Sequence, residues 1–343
     1  MSGRIRVDLA GFAREGGLGD HADLIALARE ADALGFGGIW FNEFHFDRNR
    51  LPHPSTLLLG AAILAVTERL RFGTSILVLP LYHPLLLAEQ VAQLDRQSGG
   101  RLDVGVGRGT SPDTFRALGL NPDEARPRFA AALDILRMAW TQGNVSHDGS
   151  FWRFDNVSVG PPCVQRPHPP VYMAAVAPDN IDLAARHALP LLYSLEPNEG
   201  RQFAPYRAAL ARHGQGVGPL HASSLSRYVL IDRDRGTALA QLDALTHRLN
   251  ENRAARAIAA GNPPPVPRSR AQMLEGHAIA GTPDDCTAQI LDLSAQLHTG
   301  SIRAFFSANG AIPVPQARAA MRLFAAQVLP ALTSPAMTKE ICL

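Results

Sequence analysis

The chain has 343 residues and a net charge of +2, and 46% of its residues are hydrophobic and 19% charged. A chain this apolar is expected to bury a large core, which excludes a disordered protein, and the lack of like-charge runs argues against nucleic acid or an anionic membrane as partner. Because there is no apolar run of about 18 residues and no signal-peptide pattern after Met1, we expect a soluble, cytoplasmic protein.

The cysteine and lysine content argues against several kinds of chemistry. Cys163, Cys286 and Cys342 are far apart and form no CxxC pair, so neither a disulfide framework nor a cysteine zinc site is expected. Lys339 is the only lysine in the chain. Schiff-base chemistry, pyridoxal phosphate and a Walker A loop all need a positioned lysine, so the sequence argues against each of them.

Apolar runs alternate with helical patterns along the chain. The apolar face of His21–Leu34 predicts a helix that ends at Gly35, and another helix is predicted to begin near Ser55. Eight runs are predicted to be strands: Ile5–Ala10, Gly38–Phe41, Leu70–Leu79, Arg101–Gly107, Val171–Val176, Leu189–Leu195, Ser223–Ile231 and Ile302–Ser307. Since these runs are continuously apolar, they indicate a parallel sheet that is covered on both faces. The pattern predicts an α/β fold, a (β/α)8 TIM barrel that forms a single domain over residues 1–343.

Two segments are predicted to be insertions in this barrel, which typically needs only about 250 residues. Residues 143–170 are expected to form an extended excursion before the fifth strand. Residues 250–277 contain Gly-Asn-Pro-Pro-Pro-Val-Pro, a run that fits neither a helix nor a central strand. This second segment is either a surface linker or a mobile lid over the barrel mouth.

Chemistry in such barrels takes place at the carboxyl ends of the strands. After the second strand, Glu43 and His45 are two residues apart, so an extended chain places them on the same side. They can meet one ligand there, or form a hydrogen bond that only closes the barrel top. After the fourth strand, Arg108 lies in a GxGxG run that permits close approach, and its guanidinium suits a phosphate. Arg126 is a candidate for the same anion.

Other sites receive less support from the residues alone. The GxGxG run lacks the spacing and the acidic residue of a nicotinamide-binding fingerprint. After the fifth strand, the chain passes through Val176 and Ala177 into a predicted helix, whose free amides suit a phosphate although Pro178 removes one donor. A metal-dependent hydrolase, with Glu43, His45 and His83 as ligands, is an alternative that lacks a carboxylate-rich cluster.

Several separated motifs, in the same order, resemble the bacterial luciferase-like flavin monooxygenases. The longest are Trp-Phe-Asn-Glu-Phe-His-Phe at 40–46, Gly-Thr-Ser-Ile-Leu-Val-Leu-Pro-Leu-Tyr-His-Pro at 73–84 and Leu-Asp-Arg-Gln-Ser-Gly-Gly-Arg-Leu-Asp-Val-Gly-Val-Gly-Arg-Gly at 94–109. The likeness resumes at 170–172 and continues through 189–190, and it closes with shorter matches at 281–283 and 321–324. The resemblance covers nearly the whole chain and implies the same (β/α)8 barrel as the strand pattern.

The resemblance implies a cofactor, partners and roles for individual residues. It implies an FMN-dependent monooxygenase, in which reduced FMN from a separate flavin reductase reacts with O2 to a C4a-hydroperoxyflavin that oxygenates a small organic substrate. The implied catalytic residues are Glu43 and His45, and Ser75–Ile76 matches the family's non-proline cis peptide under the isoalloxazine ring. The implied phosphate site consists of Arg108, Arg126, Val176, Ala177 and Asn180.

Three departures from the luciferase pattern affect these expectations. Phe44 replaces the first histidine of the Glu-His-His signature, Gly107 replaces a cysteine beside the flavin, and Ala177 lacks a hydroxyl for the phosphate. Light emission from a long-chain aldehyde is therefore not expected. We expect a different substrate, such as a secondary metabolite. Two alternatives stay open: a deazaflavin (F420) oxidoreductase of the same superfamily, and a flavin-binding relative without turnover, since Phe44 removes a candidate catalytic group.

The segment Ser55–Val66 is apolar on every face, although a helix outside a barrel needs only one apolar stripe. Together with the leucines at 85–87 it predicts an exposed patch and hence a homodimer, with Leu59 and Ile63 among the outward positions. The resemblance implies dimerisation through the same helices. The alternative is that the inserted loops cover this patch within one chain.

Overall fold

The computed structural model describes residues 4–12, 20–46, 54–195 and 199–333. Its strands are β1 (Arg6–Ala10), β2 (Gly38–Phe41), β3 (Arg71–Thr74), β4 (Leu77–Val78), β5 (Leu102–Gly107), β6 (Asn144–Asp148), β7 (Arg153–Ser158), β8 (Val171–Met173), β9 (Ser224–Ile231), β10 (Ala278–Gly281) and β11 (Ser301–Phe305). Its helices are α1 (His21–Leu34), α2 (Thr56–Ala65), α3 (Pro84–Gln97), α4 (Pro112–Ala117), α5 (Ala125–Thr141), α6 (Pro178–Arg186), α7 (Phe203–Arg212), α8 (Gly218–Ala222), α9 (Arg235–Ala259), α10 (Arg270–Gly276), α11 (Pro283–Leu297), α12 (Val314–Gln327) and α13 (Leu329–Thr333).

The parallel strands close into a barrel with eight strand positions. β1 pairs with β2 on one side and with β11 on the other, and the ring continues through β3, β5 and β8. Bridges at Leu191 and Leu192 connect β8 to β9, and β9 pairs with β11. The strands are buried and the helices lie outside them, so the predicted (β/α)8 barrel is confirmed.

The prediction of one strand over Leu70–Leu79 is wrong in its middle. β3 ends at Thr74, the Ser75–Ile76 peptide is cis, and β4 then pairs with the other end of β5. The physical reason lies at Thr74, whose hydroxyl donates to the Gly105 carbonyl (2.8 Å) and accepts from the Gly105 amide (2.9 Å). The Thr74 side chain thus makes the hydrogen bonds that a main-chain partner would make in the sheet. The chain after Thr74 can therefore leave the sheet beside Gly105, which has no Cβ.

Two more strand predictions need correction. The predicted sixth strand, Leu189–Leu195, contains only single bridges, because the Leu191 amide donates to the Ser223 hydroxyl (2.9 Å) instead of a main-chain carbonyl. The fifth strand ends at Met173, earlier than predicted. Sequence reasoning missed β10, whose four residues include two alanines and a glycine; it pairs with the second half of β9.

The helix predictions agree with the structure at α1 and α2. α1 ends at Gly35, which has φ 85°, and the Ser55 hydroxyl accepts a hydrogen bond from the Leu58 amide at the start of α2. Residues 143–170 contain the antiparallel hairpin β6–β7. Residues 261–267 form no helix or strand, as predicted, but α9 extends through Ala259 and α10 begins at Arg270, so most of the segment 250–277 is helical. Within the described ranges, no helix has the length and apolarity required to cross a membrane.

The face of α2 that was predicted to point outward is not the exposed one. Leu59 and Ile63 are buried, because they face the barrel, and correcting this assignment moves the outward positions to Leu58, which is 75% exposed, and to Leu86 of α3, which is 60% exposed. α2 packs against α3. Two large apolar side chains on neighbouring helices therefore face solvent in the single chain.

The interior of the barrel contains charged residues as well as apolar ones. Arg6 pairs with Asp8 (2.7 Å) and Asp103 (2.8 Å), and Arg71 pairs with Asp103 (2.6 Å). Arg303 on β11 is also buried and lies over the Trp40 ring, with its guanidinium carbon 5.8 Å from the ring centroid. Three arginines therefore accompany two aspartates, which leaves one excess positive charge in this group.

Candidate active site

A cavity of about 740 Å³ opens at the carboxyl ends of the barrel strands. Its lining includes the turn after β3, residues in the middle of β9, the carboxyl-terminal half of β11 and one face of α9. Ser75 and Ile76 line it, and so does Asn42, the residue before Glu43. This is the end of a (β/α)8 barrel at which binding and catalysis take place, so the structure brings two of the predicted site residues into the cavity itself.

The Ser75–Ile76 peptide is held from two sides. The Ser75 hydroxyl accepts a hydrogen bond from Arg303 Nη1 at 2.9 Å. On the other side, Ile76 fills the space beside Gly107, since a Cβ at that glycine would lie 2.1 Å from Ile76 Cδ1. The cis geometry that the resemblance implies at this peptide is present. Arg303, which sequence reasoning missed, therefore fixes one side of the cavity floor.

Glu43 and His45 contact each other, as their spacing predicts. Glu43 is buried, and its Oε1 lies 2.5 Å from His45 Nε2. The same oxygen accepts a hydrogen bond from the Tyr82 hydroxyl (2.6 Å), and Oε2 accepts one from the Val78 amide (2.8 Å). Val78 is the last residue of β4 and Tyr82 follows it, so this cluster joins the chain after β2 to the end of β4.

The Glu43 carboxylate shifts the pKa of both partners. The hydrogen bond to Glu43 raises the pKa of His45 above its ordinary value, because it favours the imidazolium. Burial, with the nearby Glu43, raises the pKa of Tyr82, so the phenol stays a hydrogen-bond donor. The His45 side chain is 23% exposed and is not among the described residues that line the cavity, whereas Asn42, which precedes Glu43, is. The cluster can hold a proton at the edge of the cavity.

Arg108 follows β5 in a loop that packs against β4. Gly109 has φ 77°, and a Cβ there would lie 2.6 Å from Val78 Cγ1, so both the backbone conformation and the space require glycine. Arg108 is half-buried and makes no hydrogen bond or ion pair with any described residue. It is thus a positioned cation that an anionic ligand can reach.

Arg126 lies next to the start of α6 and forms an ion pair with Asp179 in its first turn. Ala177 is the N-cap residue of α6, Asn180 is buried and Val176 is exposed. No contact within the described residues links Arg126 to Arg108. The structure therefore groups Arg126 with the three residues at 176, 177 and 180, and places Arg108 on the neighbouring strand end.

The ligands proposed for a metal-dependent hydrolase do not come together. His83 is exposed and its ring packs against Trp152, with centroids 6.4 Å apart, whereas Glu43 and His45 contact each other. Among the described residues, no group of three His, Cys, Asp or Glu side chains is arranged to hold a metal ion.

The sequence was compared with models of known protein families. The family model of luciferase-like monooxygenases matches residues 7–299. The chain belongs to this family. As a luciferase-like monooxygenase it is an oxidoreductase.

Relatives with curated names are flavin-dependent monooxygenases. The chain is 31% identical to the oxygenase component of the flavin-dependent trigonelline monooxygenase of Acinetobacter baylyi over 167 residues, 48% of this chain and 46% of that protein. It is 27% identical to the alkanal monooxygenase alpha chain of Photorhabdus laumondii, over 90% of this chain and 91% of that one. The chain spans about half the length of several of the curated relatives it matches.

Solved structures share the fold over nearly the whole chain. The monooxygenase RslO1 from Streptomyces bottropensis has a TM-score of 0.77 and 28% identity, covering 95% of this chain and 99% of its own. An FMN complex of the 3,6-diketocamphane monooxygenase from Pseudomonas putida shares the fold at 18% identity, with a TM-score of 0.75, covering 96% of this chain and 99% of that one. The F420-dependent tetrahydromethanopterin reductase from Methanopyrus kandleri shares it at 18% identity, with a TM-score of 0.70, covering 97% of this chain and 100% of that one. The fold alone therefore accommodates either cofactor.

Proposed function

We propose that this chain is the oxygenase of a two-component monooxygenase, which uses reduced FMN and O2 to oxygenate a small organic substrate. One contact carries the proposal: Ile76 fills the space beside Gly107, so the Ser75–Ile76 peptide in the cavity adjoins the loop that presents Arg108. A ring-binding surface and a phosphate-binding cation are thus neighbours at one end of the barrel. Reduced FMN, when bound, supplies the electrons that activate O2.

The residues near Arg108 fit an FMN phosphate. Arg108 makes no hydrogen bond or ion pair with a described residue, and a buried or half-buried arginine without an anion is unfavourable. α6 begins at Pro178, after the carboxyl end of β8, and β8 pairs with β5, the strand that precedes Arg108. The N-terminal amides of α6 and Asn180 therefore follow the strand next to that of Arg108. We propose that Arg108 and Arg126 bind the phosphate, with Val176, Ala177 and Asn180 completing the site.

Glu43 and His45 are proposed to handle a proton beside the bound flavin. Nε2 of His45 faces Glu43, which leaves Nδ1 as the atom that donates to or accepts from a ligand. Glu43, itself held by Tyr82 and the Val78 amide, keeps the imidazole oriented and raises its pKa. The same contacts would exist in a purely structural hydrogen bond, so the role needs a functional test.

Cofactor titration tests the proposal. We expect the purified chain to bind reduced FMN more tightly than reduced F420, and Arg108→Met and Arg126→Met to weaken FMN binding by roughly ten- to a hundredfold, which corresponds to about 1.5 to 3 kcal/mol per charge-assisted hydrogen bond. Arg153→Met is the control, because this arginine lies on the exposed hairpin strand β7. Preferential binding of F420, or unchanged FMN affinity in both variants, would contradict the FMN site.

Oxygen consumption separates an enzyme from a flavin-binding relative without turnover. With reduced FMN bound, a monooxygenase consumes O2 in step with the product formed, and His45→Ala is expected to bind flavin but to release peroxide in place of product. A chain that binds FMN and forms no product with any substrate tested would be the non-catalytic alternative that Phe44 suggested.

We further propose two partners. The name of the Acinetobacter relative is that of an oxygenase component, which supports a separate flavin reductase as the source of reduced FMN, acting in the cytoplasm, where reduced nicotinamide is available. The exposed side chains Leu58 and Leu86 on the packed pair α2 and α3 support a homodimer through this face.

A further inference from the structure

Four arginines line the cavity at the barrel mouth. Arg248, Arg253 and Arg256 belong to α9, and Arg303 belongs to β11. None of the described residues that line the cavity is an aspartate or a glutamate. The lining therefore has a strongly positive charge although the whole chain has a net charge of only +2.

The contacts of two of these arginines are to neutral groups. Arg248 Nη1 donates to the Ala311 carbonyl (3.0 Å), and Arg253 Nη1 approaches Asn250 Oδ1 (3.3 Å). Neither forms an ion pair with a described residue. Elsewhere on α9 the charges are paired, since Arg235 contacts Asp285 and Asp243 contacts Arg270. Around Arg248 and Arg253, therefore, the described residues supply no carboxylate.

The floor of the cavity adds to the positive charge. Arg303 donates to the Ser75 hydroxyl and to the Tyr193 carbonyl (2.7 Å), which are both neutral acceptors. Burial lowers the pKa of Arg303 to about 10, so the guanidinium remains charged at neutral pH. The nearby Asp8 already pairs with Arg6. A positive charge in such a setting favours an anionic ligand, because a buried cation without a counter-ion is costly.

The remaining lining combines apolar side chains with small polar ones. Leu192, Leu249 and Phe305 face the cavity, and its volume of about 740 Å³ leaves room for a flavin ring and a small second molecule. We propose that the substrate is an organic acid, with its carboxylate bound by Arg248 and Arg253 of α9 and its apolar body against Phe305 and Leu192. This assignment rests on the proposed function, since it names the substrate class of the same cavity.

A matched pair of probes tests the charge preference: 2-naphthoate and the neutral 2-naphthamide, which have nearly the same shape. We expect the wild type to bind naphthoate at least tenfold more tightly by equilibrium dialysis. Arg253→Met should lower the affinity for naphthoate about tenfold and leave the affinity for naphthamide unchanged. Arg253→Lys should retain part of the preference for naphthoate. Arg29→Met is the control, because Arg29 is exposed on α1 outside the barrel and makes no contact with a described charged group.

Three results would decide the matter. Equal affinities of the two probes for the wild type, or an unchanged preference in both Arg253→Met and Arg248→Met, would overturn the proposal. If Arg253→Met loses affinity for F420 but not for naphthoate, the arginines bind the anionic chain of a cofactor and the substrate assignment is overturned. FMN titration of the same variants separates the two hypotheses: a chain that prefers naphthoate but fails to bind FMN retains the anion site and loses the proposed function.

Discussion

Replacing Glu43 by glutamine tests the cluster at the edge of the cavity. The carboxylate accepts hydrogen bonds from three donors: Tyr82 and His45 at Oε1 and the Val78 amide at Oε2. A glutamine has one acceptor oxygen, so its amide nitrogen must face at least one buried donor. A buried donor without an acceptor costs about 1 to 3 kcal/mol, and we expect Glu43→Gln to lower the free energy of unfolding by that amount.

The pH dependence of this effect has a definite sign. Glu43 raises the pKa of His45 in the folded chain above the ordinary histidine value of about 6.5. A raised pKa gives stability that is fully present below 6.5 and is lost as the pH rises through the folded pKa of His45. Glu43→Gln removes this contribution, so the variant should be destabilised more at about pH 5.5 than at about pH 8.5.

Two measurements check the prediction. Titration of the His45 imidazole by nuclear magnetic resonance should give a pKa above 6.5 in the wild type and a lower one in Glu43→Gln. Denaturant unfolding at both pH values should show the larger loss at the lower pH, and this difference should disappear in a His45→Gln background, which lacks the titrating group. The same His45 pKa in wild type and variant would refute the reasoning, since the carboxylate would then not control the imidazole.

Three further predictions concern other parts of the molecule. Asp179→Asn frees Arg126 from an exposed ion pair worth about 0.2 to 1 kcal/mol, so reduced FMN should bind up to about fivefold more tightly; an unchanged or weaker affinity in a titration would contradict this competition. Leu58→Asp combined with Leu86→Asp should halve the mass measured by light scattering, and a dimer that persists would reject the α2–α3 interface. Replacing residues 261–267 by a short Gly-Ser linker should preserve folding but lower the ratio of product formed to oxygen consumed, whereas an intact ratio would make the segment a surface linker.

The apolar pattern of the sequence predicts the barrel because each barrel strand is buried on both faces and is therefore continuously apolar. It also predicts the positions where helices begin and end at Ser55 and Gly35, since hydroxyl capping and a positive φ are local properties. It fails at Thr74 and Leu191, where a side chain replaces a main-chain partner in the sheet. Such exchanges depend on which strand lies alongside, and periodicity within one strand does not contain that information.

The candidate site divides in the same way. The Glu43–His45 pair is predictable because two residues in an extended chain share a side, whereas Tyr82 and Val78 come from another strand end. The cavity arginines of α9 are still harder to identify from sequence. On the sequence they belong to an ordinary charged helix. Their proposed role depends on the lining of the assembled barrel, whose described residues include no aspartate or glutamate.

Gly107 shows why a departure from a family pattern has to be judged with its neighbours. By resemblance, a cysteine stands there in luciferase, and its absence is one of the departures that argue against light emission from a long-chain aldehyde. The structure shows that Ile76 Cδ1 occupies the space that any Cβ at this position would need. A cysteine at 107 would force Ile76 to move, and Ile76 belongs to the cis peptide that lines the cavity. The missing side chain and the larger neighbour compensate each other in volume, so the surface proposed to hold the flavin ring is filled by a different residue and is not lost.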